Sequence, residues 1–351
     1  MAAPLPAPDL DHVLLRVGAS FEELRGARLF VTGGTGFVGR WLLESLAAAD
    51  ARLGLGVDVT VLTRDPDGFA RRVPGVAGNR AFHLLAGDVR TFDFPEGAFT
   101  HVIHGAAESS TTLARDQPAT MVDVLVRGTG RVLDLARQRG ARRVLFVSSG
   151  AVYGRILPAV DHVPEAYPGG PDPTSPAAAY GEGKRLAELL CCLAARNGGP
   201  SVSIARCFAF VGPGLPLDAH FAIGNFLRDA LAGGPIRVQG DGTPLRSYLH
   251  AADLAAWLWV VLLRGASGRA YNVGSQDSRS IREVAEVVAR SAGIAGRIDV
   301  AFAPVAGVAP ERYVPDTARA REELGLETWI SFEDAVSSTL AWLRAAPTSP
   351  A

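Results

Sequence analysis

Cysteine is scarce, with only Cys191, Cys192 and Cys207 among 351 residues. So low and odd a count excludes a disulfide framework and points to a reducing compartment, the cytoplasm. Cys191 and Cys192 are adjacent, and a bridge between neighbours would strain the backbone. An excess of one charge is also lacking: 35 basic and 36 acidic residues leave a formal net charge of −1. A nucleic-acid binder carries a basic excess, so no nucleic-acid partner is expected. No apolar run reaches the roughly 18 residues of a membrane span. The nearest, Leu254 to Leu263, stops at Arg264. The N-terminus shows no charged region followed by an apolar one, so neither a secretory signal nor a membrane partner is expected. The seven histidines are scattered. None lies with cysteine at metal-ligand spacing, and no metal is expected.

What is present suits a globular protein. Hydrophobic residues make up 48% and charged residues 20% of the chain, which excludes global disorder. The length allows two domains, or one large α/β unit with a lobe. Apolar or β-branched runs at 28–32, 57–63, 81–85, 101–105, 143–148 and 202–206 read as strands, and 37–49, 119–139 and 177–196 have helical periodicity. Strands alternating with helices predict a Rossmann-like, doubly wound parallel sheet. After residue 207 Pro/Gly-rich loops separate shorter elements, with helices expected at 253–263, 281–292 and 332–343. The predicted division is a dinucleotide-binding domain over 26–206 plus about 243–265, and a smaller interleaved C-terminal substrate lobe over 207–242 and 266–344. Segments 1–10 and 345–351 are expected to be flexible.

Residues 31–39 read Val-Thr-Gly-Gly-Thr-Gly-Phe-Val-Gly. Gly34, Gly36 and Gly39 satisfy GxGxxG, and Gly33, Gly36 and Gly39 satisfy GxxGxxG. Glycine permits a tight turn and lets backbone N–H groups approach a pyrophosphate at the helix N-terminus. The acid that holds a ribose 2′-hydroxyl is expected at the end of the second strand, but that position is Thr63, followed by Arg64. A guanidinium there suits a 2′-phosphate, so the cofactor is NAD or NADP with a lean toward NADP. Asp65, one position later, could compensate. Asp88, after the third strand, could receive the adenine amino group.

Tyr180-Gly-Glu-Gly-Lys184 opens a helix, and the i, i+4 spacing puts phenol and ammonium on one face. A tyrosine starts near pKa 10, so a base working near pH 7 needs about 3 units of stabilisation, which a lysine and an oxidised nicotinamide can give. Ser148 and Ser149 end the fifth strand, where a hydroxyl faces the ligand crevice.

With these residues in view the chain resembles an extended short-chain dehydrogenase/reductase of the NAD-dependent epimerase/dehydratase family, whose members act on nucleotide sugars. The motifs are TGGTGFVG (32–39), GDV (87–89), HVIHGAA (101–107), SSGAVYG (148–154), YGEGK (180–184), RCFAFVGP (206–213), GDGTPLRSYLHAADLA (240–255) and YNVGS (271–275). The resemblance implies Ser149 as the hydroxyl of a catalytic triad, Tyr180 as base, and Lys184 as the group that holds the nicotinamide ribose and tunes Tyr180. It implies cofactor contacts at Gly33, Gly36, Phe37, Val38, Gly39, Thr63, Arg64, Asp88, Val89, Ala106, Ala107 and Cys207. It implies substrate contacts at Glu108, Ser109, Ser149, Asn225 and Arg246, the last two on the nucleotide diphosphate.

The chain also departs from the family. The dehydratase Asp-Glu pair after the triad hydroxyl is Gly150-Ala151 here, and the decarboxylase Glu is Ala151, so both reactions are disfavoured. A family Asn is Ala209, a helix Asn is Leu125, and an RPG(H)D stretch is Ala306 to Pro310, with Arg312 as the nearest substitute. The leading expectation is a nucleotide-sugar epimerase working through a ketosugar. The alternative is an NADPH-dependent ketosugar reductase. A non-catalytic nucleotide-binding protein is opposed by the intact Ser149, Tyr180 and Lys184. The helices at 119–139 and 177–196 carry apolar residues beyond one stripe, and in the family such helices pair across a two-fold axis. A homodimer is therefore expected, with Leu189 or Cys192 near the interface.

Overall fold

The computed structural model describes residues 3–106, 115–196, 198–217 and 221–345. Six strands come first, with helices in every connection except that from the third to the fourth: β1 Arg28–Thr32, β2 Asp58–Thr63, β3 Phe82–Ala86, β4 His101–His104, β5 Arg143–Ser149 and β6 Ser201–Cys207. Beyond them β7 Phe210–Val211, β8 Ile236–Val238, β9 Leu245–Arg246 and β10 Leu249–His250 are short. They are followed by β11 Arg269–Val273, β12 Arg279–Ser280, β13 Ile298–Val300 and β14 Arg312–Tyr313. The main sheet has the order β11-β6-β5-β4-β1-β2-β3, and every pairing in it is parallel. The fold is thus the doubly wound α/β sheet that the sequence predicts.

Buried parallel strands need helices on both faces. In β1, Leu29, Phe30, Val31 and Thr32 are all buried. One face is covered by α1 Ala7–Val17, α2 Phe37–Leu53 and, further along the chain, the helix Ala251–Arg264. Between them come α3 Pro118–Gln138 and α4 Ala179–Arg196, which pack on the opposite face, and α5 Ala222–Leu231 in the lobe. The helix Ala251–Arg264, α6, is buried all round from Ala251 to Leu263, as a helix sandwiched in a core must be. The lobe has its own core, which α5 shares with α7 Ile281–Ala292 and α8 Phe332–Ala345. Short parallel β8–β13 and mixed β12–β9–β14 pairings complete it.

Two boundaries differ from expectation. The N-terminal segment is built in: α1 begins at Ala7, Leu5 is buried, its amide donates to Glu44 Oε2 at 3.0 Å, and Trp342 Nε1 donates to the Pro4 carbonyl at 2.9 Å. Proline fits a first helical turn, where its missing N–H is no loss, and Val13 and Val17 bury the i, i+4 face. Residues 269–273, expected in the lobe, form β11 at the edge of the main sheet with Tyr271, Asn272 and Val273 buried. Residues 346–351 lie outside the described ones. Among the described residues no helix is long and apolar enough to cross a membrane.

Candidate active site

The carboxyl ends of β1, β4, β5 and β6 lie side by side along one edge of the parallel sheet, and the glycine loop follows β1 and meets the end of β4 at Gly105. Gly33 has φ +74°, and a Cβ there would lie 2.3 Å from the carbonyl carbon of Gly105. A Cβ on Gly39 would lie 2.2 Å from the Gly33 oxygen. These two positions admit only glycine, while Gly36 at the start of α2 is exposed and meets nothing closer than the Gly33 oxygen at 3.6 Å. The result is a side-chain-free cradle at a helix N-terminus, which fits a pyrophosphate. Phe37 and Val38 form the first turn of α2 behind it.

A buried chain of hydrogen bonds fixes the loop that crosses Gly33. Thr129 Oγ1 donates to the Leu125 carbonyl at 2.6 Å, so it accepts from His104 Nε2 at 3.0 Å. This leaves His104 Nδ1 to accept from the Thr32 hydroxyl at 2.7 Å, and Thr32 Oγ1 accepts the Ala106 N–H at 3.2 Å. Burial, reinforced by the nearby Lys184 charge, lowers His104 to about 3, which keeps the ring neutral as the chain requires. Ala106 is thereby placed beside the cradle. Ala107, Glu108 and Ser109 lie outside the described residues.

At the other end, Thr63 closes β2 and is buried, while Arg64 is exposed. The Asp65 carboxylate caps the next helix, accepting from Gly68 N at 2.8 Å through Oδ1. Asp88 is held by Arg90 Nε at 2.9 Å and Nη2 at 2.7 Å. The hydrogen bond from Arg90 is the main reason its carboxyl sits at about 2, with Arg64 adding a smaller push in the same direction. Val89 is buried and touches α3 at Gly128.

Ser149, Tyr180 and Lys184 come together at the end of β5. Lys184 is buried, donates from Nζ to the Val147 carbonyl at 2.6 Å, and lies 6.0 Å from the centre of the Tyr180 ring. Burial lowers its ammonium to about 8. Burial raises the Tyr180 phenol, and a hydrogen bond with Ser149 works against that rise. Strand alternation separates the two serines. Ser148 Oγ turns away and donates to Glu188 Oε1 at 2.6 Å, leaving Ser149 as the hydroxyl beside Tyr180. Cys207 pairs in register with Ser149, and burial pushes its thiol up to about 12, so it stays protonated.

Behind these groups lies a buried lattice absent from the sequence reading. Glu188 accepts from Arg206 Nη2 at 2.7 Å, Arg206 Nη1 donates to Tyr153 Oη at 3.0 Å, and Tyr153 donates to Asn272 Oδ1 at 2.6 Å. It ties α4 to β6 and β11. Its signal in the sequence is Glu188, four residues after Lys184 on the same helix face.

Tyr313 is a second residue missed. Its ring lies 4.7 Å from that of Phe208, its Oη lies 2.6 Å from where a Cβ on Gly150 would stand, and burial raises its phenol. In the parallel β9–β14 pair, Tyr313 is opposite Arg246 and Arg312 opposite Leu245. Alternation therefore turns Tyr313, not Arg312, to the side of Ser149. Arg312 instead pairs with Asp161 at 2.5 Å. Arg246 stands 5.9 Å from the centre of the Tyr313 ring and donates to Glu311 at 2.8 Å. Asn225 is on α5, accepts from Arg228 Nη1 at 3.1 Å, and lines a cavity of about 310 Å³ with Arg228, Arg237 and Gln239.

The arrangement agrees with what the chain is similar to. Residues 29–274 match the model of the NAD dependent epimerase/dehydratase family. UDP-glucuronic acid decarboxylase 1 of Xenopus tropicalis is 31% identical over 317 residues, covering 90% of this chain and 72% of the relative. A dTDP-glucose 4,6-dehydratase from Streptomyces venezuelae, solved with NAD and TYD bound, superposes with a TM-score of 0.77 at 27% identity over 91% of this chain and 97% of the other. The UDP-glucose 4-epimerase of Thermus thermophilus, solved with NAD, gives 0.73 at 25% identity over 90% and 99%. With a glycine cradle, a Ser-Tyr-Lys cluster and a parallel sheet all in the matching segment, the chain belongs to the NAD-dependent epimerase/dehydratase family, among the extended short-chain dehydrogenases/reductases.

Proposed function

We propose that the chain is a nucleotide-sugar epimerase that oxidises a sugar carbon transiently and reduces it again on the opposite face. The observation that carries this reading is an intact Ser149, Tyr180 and Lys184 set beside Gly150 and Ala151, which offer no acid. When bound, the dinucleotide supplies the acceptor and then the donor of the carbon-bound hydride. Tyr180 Oη takes the hydroxyl proton and returns it, Ser149 holds the reacting oxygen, and the Lys184 ammonium stabilises the phenolate. Arg246 and Asn225 would hold the diphosphate while the ketosugar turns over. The similarity to the Thermus epimerase supports this outcome, whereas elimination of water or loss of carboxylate calls for further acid–base groups that positions 150 and 151 lack. Native mass spectrometry of the purified protein tests it: a retained NAD(P) is expected, since an epimerase regenerates its cofactor each cycle. A freely exchanging NADPH that is consumed with a ketosugar indicates the reductase.

That second reading has one observation in its favour, the cationic Arg64 at the adenosine end, whose charge reaches Asp88. Arg64→Ala is expected to weaken NADP binding about tenfold or more, the scale of a charge-assisted hydrogen bond, and NAD binding much less. Equal losses in parallel titrations would remove Arg64 from cofactor choice.

We also propose a homodimer through α4. Leu186, Leu189 and Leu193 are exposed on one helical stripe, while Cys192 is half-buried with Sγ toward the Gly268 carbonyl. Leu189 is therefore the better interface probe. Leu189→Glu is expected to turn a dimer into a monomer by sedimentation, and an unchanged dimer would place the interface elsewhere.

A further inference from the structure

Lys184 is the only lysine of the chain; every other basic residue is arginine. It is buried, at 2% exposure, and among the described residues it makes no ion pair. The acid one turn along its helix, Glu188, is committed elsewhere. It accepts from Arg206 Nε at 3.0 Å and Nη2 at 2.7 Å, and from Ser148 Oγ at 2.6 Å. An ammonium buried without compensation gives up its proton. Two successive residues of β5 supply the compensation. The Val147 carbonyl accepts from Lys184 Nζ at 2.6 Å, and Nζ stands over the ring of Phe146, 4.7 Å from its centre. Strand alternation turns Phe146 to the same side as Ser148, into the core that α4 covers.

We propose that Phe146 is a positioning residue that acts through Lys184: the face of its ring holds the ammonium charged and in place beside Tyr180. The inference rests on the role given to Lys184 above. It goes beyond that role by naming what keeps a charge in a buried site where the neighbouring carboxylate is already taken.

An aromatic face attracts a cation within about 6 Å of the ring centre, and more strongly when water is excluded. A neutral amine gains much less, so the ring favours the protonated form. The Tyr180 ring is the farther of the two, at 6.0 Å. Phe146 is itself buried and packs against the ring of His104, with centres 5.5 Å apart. His104 is held neutral between Thr32 and Thr129, so no second cation competes for the same ring. The other titratable groups facing Lys184 are Tyr180, Glu188 and Cys191 from α4 and Cys207 from β6. Burial keeps both thiols protonated. Val147 takes one of the three ammonium donors, and two remain for bound groups.

The single lysine makes the test direct. In protein grown with lysine carrying carbon-13 at Cε, the one labelled resonance belongs to Lys184. Its shift against pH, read in the NAD-loaded protein, gives the ammonium titration without a sugar substrate. Graded fluorination of the Phe146 ring weakens the potential of its face while nearly keeping its shape. Each added fluorine is expected to lower the titration midpoint, with the melting temperature near wild type. Phe146→Leu is expected to lower the midpoint by about half a unit or more. Fluorination of Phe21, buried in the core on the other face of the sheet, is expected to leave it unmoved. Should Phe146→Leu fail to fold, the fluorinated series decides alone. A midpoint that ignores fluorination of Phe146, or moves equally with Phe21, would overturn the proposal. A Lys184 already neutral at pH 7 in the wild type would overturn its part in stabilising a Tyr180 phenolate, and this inference with it.

Discussion

Tyr180→Phe is expected to lower turnover by about 10²–10⁴-fold, the usual contribution of a positioned proton-transfer group, with little change in cofactor affinity. The ring stays, so the packing around Lys184 is kept and only the proton carrier is lost. In the free protein burial pushes both groups toward neutrality, raising the Tyr180 phenol and lowering the Lys184 ammonium to about 8. The positive charge of an oxidised nicotinamide, with the Ser149 hydrogen bond, is what brings Tyr180 back toward a working base. Activity should therefore rise with pH as Tyr180 deprotonates. A Tyr180→Phe variant that kept more than about a tenth of the wild-type rate would exclude the assignment.

Gly33→Ala is expected to abolish dinucleotide binding at micromolar concentration and to lower the melting temperature. A positive φ in a residue with a side chain costs about 1–3 kcal/mol, and here the added carbon would also meet rigid backbone at Gly105. Relief requires moving the loop at 105–106, which the Thr32–His104–Thr129 chain holds in place. Gly54→Ala supplies the control. Its φ is +60°, but no atom lies within 4 Å of the added Cβ, so it should lower stability and leave NAD titration unchanged. Comparable losses of binding in the two variants would show that strain alone, not the cradle, is being measured.

Much of the nucleotide half was legible because buried parallel strands leave a plain signal. The run Arg28–Thr32 and the helix starting at Phe37 are found where apolar pattern and glycine punctuation place them. The i, i+4 spacing of Tyr180 and Lys184 gives their shared face directly, whereas Ser149 was set apart from Ser148 only by the family resemblance, and the structure supplies the reason in strand alternation. Elsewhere local pattern was not enough. A proline-rich start looked loose, although its prolines sit before and in the first turn of α1. The strand β11 follows a long excursion into the lobe, so nothing local says that it returns to the sheet. Arg312 drew attention as the nearest charge, while two-residue β14 puts its neighbour Tyr313 beside Ser149. Charge was visible in the sequence, but strand phase in so short a segment was not.

Transient oxidation with stereochemical inversion and no loss of mass can be tested directly by one measurement. UDP-glucose, dTDP-glucose and UDP-glucuronic acid are incubated with the protein and NAD in heavy water, and each sugar nucleotide is recovered and examined by mass spectrometry and NMR. The expected product is an isomer of unchanged mass, inverted at one carbon, with no deuterium on carbon and no net reduced cofactor. A product lacking carbon dioxide or water, or carbon-bound deuterium in it, would contradict the epimerase reading.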